Sequence, residues 1–313
     1  MKVINKTTQT ALLAFGICGF FYWLMAGSFI DFSDEGFLWY GAIHTRLGEV
    51  PIRDFQSYDP GRYYWCAALM SFFRDNGLLA LRRAEALFQV FSLTLGLLAL
   101  RRAVKHFAIL AWVGFLTVCW MFFDFRYFDS GMQLIALFFA VRLAEKPSPA
   151  RHFQAGAAVA LCAFFGLNHG FYAGLGIFSL LVFIHLKGMI IGPCKTRVSF
   201  VSGFLAGLLP FLFMTLLFPG FWEGYRDNFL FSFHRFLDGM SDVRIDAKSM
   251  PWFWQVNAAF LTIILAYLFM AWTVFRMKKD EVFKYPLISA SFFLGISYGH
   301  QIFSRGDIAH MGE

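Results

Sequence analysis

Between residues 31 and 62 the chain gathers six carboxylates, Asp31, Asp34, Glu35, Glu49, Asp54 and Asp59, and three arginines, Arg46, Arg53 and Arg62. A carboxylate screened from bulk water acts as a general base toward a hydroxyl or an amine. The planar fork of arginine binds phosphate or carboxylate at two points, whereas lysine offers only a point charge. The two residue types together suit chemistry on an anionic substrate. They follow directly on an apolar segment, Thr10 to Ile30, so the elements that position them must be sought in an oily chain.

The 313 residues are 58% hydrophobic and 20% aromatic with only 15% charged, against about a quarter charged in a soluble domain. The mean hydropathy is +0.58. The apolar runs are long and do not alternate, which predicts an all-α, polytopic helical bundle in a membrane and excludes a barrel. The net charge of +7 does not indicate a nucleic-acid partner, because the positive residues sit at span ends and form no single patch. The five cysteines, Cys18, Cys66, Cys119, Cys162 and Cys194, fit neither a disulfide framework nor a zinc spacing.

About nine spans are expected, near 10–30, 84–100, 107–123, 131–144, 154–168, 171–187, 198–218, 252–275 and 285–303. Tyr63–Phe73 is too short to cross and reads as an amphipathic helix at the surface. With the N-terminus inside, nine of the ten lysines fall on inner loops, as the positive-inside rule requires. The same assignment puts 17 of the 20 carboxylates on the outer side, an asymmetry that rule does not explain. The outer cations are 11 arginines and Lys248. The first span has no cleavage signal behind it and reads as an anchor. The chain is expected to be one transmembrane domain, 1–313, with long outer segments at 31–83 and 219–251, the second a lid or an interfacial helix. It ends at "SRGDIAHMGE" after the ninth span, which suits either an outer terminus or a shortened chain.

Four outer stretches carry the chemistry-bearing residues: 31–62, "DFRYFDSG" (Asp124 to Gly131), 219–251 and "SRGDIAHM" (Ser304 to Met311). Asp34 and Glu35 follow the first span at the membrane surface. They read as catalytic acids, or as the first turn of a helix capped by Ser33, and both roles are compatible. Asp129 stands at the mouth of the fourth span with the same two readings. His169 in "LNHGFY" reads as structural, as do His44, His234, His300 and His310 taken singly. No G-x-S-x-G, phosphate-loop or paired-histidine zinc pattern occurs.

The stretch Asp34-Glu35, then "LGEVPIRDFQSYDPGRYYW" with Gly48, Pro51, Arg53-Asp54-Phe55 and Pro60-Gly61, resembles the first outer loop of the glycosyltransferase C superfamily. These are polytopic enzymes, among them protein O-mannosyltransferases and lipid A aminoarabinose transferases, that take a sugar from a polyprenyl-phosphate or -diphosphate carrier. Asp129 is similar to the carboxylate that opens their fourth span. The likeness is specific over 31–75, moderate over 120–140 and topological elsewhere.

The resemblance implies inverting transfer on the outer face of a membrane, expected to be a bacterial inner membrane, to a lipid, glycan or protein acceptor. Asp34 would act as general base, with Glu35 and Asp129 as further catalytic acids. Arg53, Arg62 and Arg126 would hold the lipid phosphate, with Arg305 and His310 behind them. No cofactor is required, although Asp34, Glu35 and Asp129 could hold Mg²⁺ or Mn²⁺ through oxygen. The competing expectations are a lipid-linked sugar flippase or transporter, and a non-catalytic membrane subunit or fragment. A transporter would place ionisable residues inside its spans, and the spans as bounded above carry almost none.

Overall fold

The computed structural model describes residues 5–28, 34–121, 127–190, 192–241 and 253–299. They fold into helices α1 (Lys6–Met25), α2 (Asp34–Arg46), α3 (Pro60–Phe73), α4 (Leu78–Leu100), α5 (Phe107–Met121), α6 (Tyr127–Glu145), α7 (Pro149–Phe165), α8 (Leu167–Leu186), α9 (Pro193–Gly207), α10 (Leu209–Leu217), α11 (Phe221–Ser241), α12 (Phe253–Arg276), α13 (Lys279–Lys284) and α14 (Pro286–Tyr298). Among the described residues there is no strand, so the all-α expectation holds.

Local chemistry sets the boundaries. Pro60, Pro149, Pro193 and Pro286 each open a helix, where the missing N–H would have had no intrahelical acceptor. Pro210 lies at the start of α10, where the axis turns 41° from α9. The Asn5 side chain caps α1 by accepting from the Thr7 N–H at 3.2 Å.

Arg82 in α4 and Arg101 at its C-cap fasten the helix antiparallel to α1. At one end Arg82 donates to the carbonyls of Met25, Ala26 and Ser28 at 3.1, 2.9 and 3.1 Å, groups that the end of α1 leaves without helical donors. At the other end Arg101 donates to Lys6 O at 2.7 Å and to Thr10 Oγ1 at 2.6 Å. The pair α7 and α9 is instead held by backbone proximity. A Cβ on Gly203 would lie 2.0 Å from Phe153 O, one on Gly156 2.2 Å from Phe200 O, and one on Gly207 2.6 Å from Ala157 O. This is small-residue packing between apolar helices, with Gly203 and Gly207 four apart on one face.

The largest buried cluster lies between α6, α7, α8, α12 and α14, around Ala140, Leu143, Ile177, Leu180 and Ile184. A second joins α2, α3, α4 and α6 around Tyr63, Cys66, Met70, Leu81 and Phe88. Helix α3 buries Tyr63, Cys66, Ala67 and Met70 along one side and exposes Phe72. Large apolar residues, including Phe15, Trp23, Trp112, Phe178, Phe213, Phe269 and Trp272, point outward.

Among the described residues three helices, α1, α4 and α8, are long and apolar enough to cross a membrane, and four segments qualify if bent α9–α10 counts as one span. That is fewer than the nine expected. Helices α5 and α14 and the apolar part of α12, Leu261–Arg276, are shorter. One boundary changes the chemistry: α4 begins at Leu78, not near residue 84. Arg82 therefore joins Glu85 inside this apolar helix, both buried, and the expectation of spans nearly free of ionisable groups fails here.

Candidate functional site

Four ionisable residues from three parts of the chain meet at one end of the bundle. Asp59 and Arg62 flank the first turn of α3, Asp129 sits in the first turn of α6, and His169 in the first turn of α8. Arg62 donates from Nε to Phe165 O at 2.5 Å and from Nη2 to Asp129 Oδ1. His169 Nε2 lies 3.0 Å from the same oxygen. Asp59 accepts from the Leu167 N–H at the start of α8 and lies close to the phenol of Tyr225 on α11. On α14, Tyr298 donates to His169 O at 3.4 Å.

The sequence builds this geometry through two glycines. Pro60 starts α3 and Gly61 lets it touch α7, since a Cβ there would lie 2.7 Å from Phe164 O. Gly166 forms the corner between α7 and α8, and a Cβ would stand 2.8 Å from the His169 ring and 3.0 Å from Arg62 Nη2. The Arg62 guanidinium is further enclosed by the rings of Tyr58 and Phe128, at 5.7 and 5.9 Å, a cation–π arrangement.

Side-chain exposure is 13% for Arg62, 22% for Asp129 and 3% for His169. Burial pushes the Asp59 carboxyl above the usual carboxylate range, and the Arg62 charge and the Leu167 N–H only partly offset it. Burial works against the charged form of Arg62, but Asp129 and Asp59 outweigh it and hold the guanidinium firmly ionised. His169 Nδ1 is buried without a hydrogen-bond partner among the described residues.

The resemblance-derived residues divide. Arg62 and Asp129 come together. Arg53 lies apart, forked onto its neighbour Asp54 at 2.8 Å through both Nε and Nη2, which holds the Asp54 carboxyl below its usual range. Asp54 also accepts from the Val50 N–H at 2.7 Å. Phe55 packs edge-on to Tyr40 and Tyr63. The P-x-R-D-F stretch is thus a tight turn, with Ile52 at a positive φ of 75°, an unfavourable conformation for a β-branched residue. The turn docks on the second outer segment: Arg53 Nη1 reaches Pro219 O at 3.4 Å, and a Cβ on Gly224 would sit 3.1 Å from Ile52 O.

Glu35 pairs with an arginine of α4. Its side chain is fully buried, and its two oxygens accept from Arg82 Nε at 2.5 Å and Nη2 at 2.8 Å. It thereby orients the arginine that caps α1. Asp34 begins α2 beside it. Arg126, Arg305 and His310, as well as Ser33, lie outside the described residues.

Glu35 pairs with Arg82, and Asp129 with Arg62 and His169. Among the described residues no three of His, Cys, Asp and Glu gather as a metal group.

No family model matches the chain, and neither a curated protein nor a solved structure matches it. The site therefore rests on its own geometry. Sequence reasoning passed over His169 as a turn residue and counted Asp59 only as one acid among six. A histidine three residues after a helix-breaking glycine was the available signal, but nothing in the spacing pointed to Asp129. The same reasoning missed Glu85 on α4, whose carboxyl oxygens are both buried without a hydrogen-bond partner among the described residues, and Gln89 one turn on, whose Nε2 is likewise unpartnered.

Proposed function

We propose that this chain is a membrane glycosyltransferase that moves a sugar, with inversion, from a polyprenyl-phosphate or -diphosphate carrier to an acceptor on the outer face. The observation that carries the reading is the partly buried group Asp59, Arg62, Asp129 and His169, to which the first outer segment contributes Asp59 and Arg62 and which Tyr225 of the second approaches. In this reading the nine apolar segments all cross or enter the membrane, the N-terminus lies in the cytoplasm, and the membrane is a bacterial inner one.

The acceptor oxygen or nitrogen attacks the anomeric carbon as the bond from that carbon to the phosphate oxygen breaks, and the bonding electron pair leaves on the phosphate. The acceptor's proton passes to Asp34. The transition state has oxocarbenium character, as in other glycosyl chemistry. Arg62, fixed by Asp129 and Phe165 O, faces the developing phosphate charge. A preorganised donor of this kind lowers the barrier by roughly 3 kcal/mol. No step requires a metal.

The test is transfer from a panel of radiolabelled polyprenyl-phosphate sugars in membranes holding the parent chain, Asp34→Asn or Arg62→Gln. The reading expects transfer by the parent and its loss in both variants at equal expression. Equal transfer by parent and Asp34→Asn would remove Asp34 from the mechanism. Failure of every donor would remove the reading.

One observation favours a second reading, a transporter of lipid-linked sugars. Glu85 and Arg82 lie buried within a helix long enough to span, and ionisable residues in such positions often line transport paths. Carrier flipping in vesicles that is lost in Glu85→Gln, with no sugar transfer by the parent, would select it.

A further inference from the structure

The end of the bundle opposite the Asp59 group carries a second charged cluster. Arg102 follows α4, Arg142 and Glu145 lie in the last turn of α6, and Arg151 lies in the first turn of α7. Glu145 is shared: Oε1 meets Arg102 Nη1 at 2.8 Å and Oε2 meets Arg151 Nη1 at 3.0 Å. Arg151 also donates to Arg142 O. The Arg142 guanidinium lies over the Phe138 ring at 5.5 Å, with Arg151, Arg102 and Glu145 as its charged neighbours. It has no hydrogen bond or ion pair to a described residue.

Among the described residues three guanidinium groups thus surround one carboxylate, leaving two positive charges in excess and most of their planar N–H donors without an acceptor. Helix dipoles favour cations after α4 and at the end of α6, which accounts for Arg102 and Arg142 separately. They disfavour one at the start of α7, so they do not account for three arginines converging there.

We propose that Arg102, Arg142 and Arg151 form a binding site for the phosphate of an anionic phospholipid in the inner leaflet. The occupant follows from charge and surroundings. A phosphodiester supplies the acceptor oxygens that the arginine forks lack. Exposed apolar residues follow the arginines closely in sequence, Phe107 and Ile109 at the start of α5 after Arg102 and Phe153 in α7 two residues after Arg151, and they offer the acyl chains a surface. Basic pockets at the ends of membrane helices bind lipid head groups in this way. The proposal rests on the membrane placement and not on any catalytic role.

The test is native mass spectrometry of the purified full chain with phosphatidylglycerol or phosphatidylcholine. The expected result is preferential retention of phosphatidylglycerol, weakened roughly five- to tenfold by Arg142→Gln, less by Arg142→Lys, and unchanged by Lys195→Gln on exposed ground at the start of α9. Equal retention of both lipids, or an unchanged Arg142→Gln, would overturn it. Displacement of the lipid by inorganic phosphate at equal concentration would assign the site to a soluble anion and overturn the lipid proposal. Circular dichroism checks that each variant folds, and Arg102→Gln repeats the test should Arg142→Gln fail to do so.

Discussion

Arg62 donates to the Asp129 carboxylate across 67 residues of sequence, joining the first outer loop to the sixth helix. With 13% and 22% of their side chains exposed, the two charges are largely removed from water. Losing one strands the other, which costs 3–5 kcal/mol in a fully buried pair. Arg62→Gln and Asp129→Asn are each expected to destabilise the chain by about 2–3 kcal/mol. The double variant should cost less than the two losses added together, because neither charge is then left alone. Denaturant titration in micelles, followed by Trp fluorescence, measures this. Fully additive losses would count against the pairing.

Glu35 and Arg82 give a sharper contrast, because Glu35 is fully buried and Arg82 is 6% exposed. Glu35→Gln is expected to cost about 3–5 kcal/mol and to loosen the junction of α1 with α4, since Arg82 would lose its orientation toward Met25, Ala26 and Ser28. A thermal melt paired with sugar transfer by the folded fraction separates positioning from catalysis. Positioning predicts a lower Tm with near-normal transfer per folded molecule. A normal Tm with transfer abolished would make Glu35 catalytic instead.

Asp59 sets a pH dependence opposite to the usual carboxylate case. Burial raises its folded pKa above the ordinary 3.8, so the native chain holds its proton more tightly than the unfolded chain. The resulting stability is fully present below about pH 3.8 and is lost as pH rises through the folded pKa. Across that window the Tm of the parent should fall relative to that of Asp59→Asn, which cannot ionise. Parallel Tm profiles for the two would refute the shift.

Backbone proximity between α7 and α9 predicts a steric effect. Gly203→Ala places a Cβ against Phe153 O, where the backbone cannot yield as a side chain would, and should cost about 1–3 kcal/mol. Gly16→Ala in α1 meets nothing within 4 Å and should be neutral or stabilising by up to about 1 kcal/mol through helix propensity. Melting temperatures of the two variants in the same detergent make the comparison.

The helical class was legible because long apolar runs leave the backbone no other way to pair its polar groups in lipid. Span count was less legible, since hydropathy does not separate a short packed helix such as α14 from one that crosses. The start of α4 was misread because Arg82 looks like a loop residue until Glu35, 47 residues away, is seen to neutralise it. The R-D-F stretch stood out in sequence, yet its arginine and aspartate chiefly hold each other in a turn.

Sequence alone determined the oily class of the chain, the helix starts at its prolines and the crowding of acids and arginines after the first span. All of these follow from composition and local order along the chain. Only the tertiary structure decided which acid serves which arginine: Asp129 goes to Arg62 and Glu35 to Arg82, while Arg142 pairs with no carboxylate among the described residues. The physical reason is that charge pairing depends on distance and burial between helices, and helix packing fixes both across separations that local sequence order does not encode.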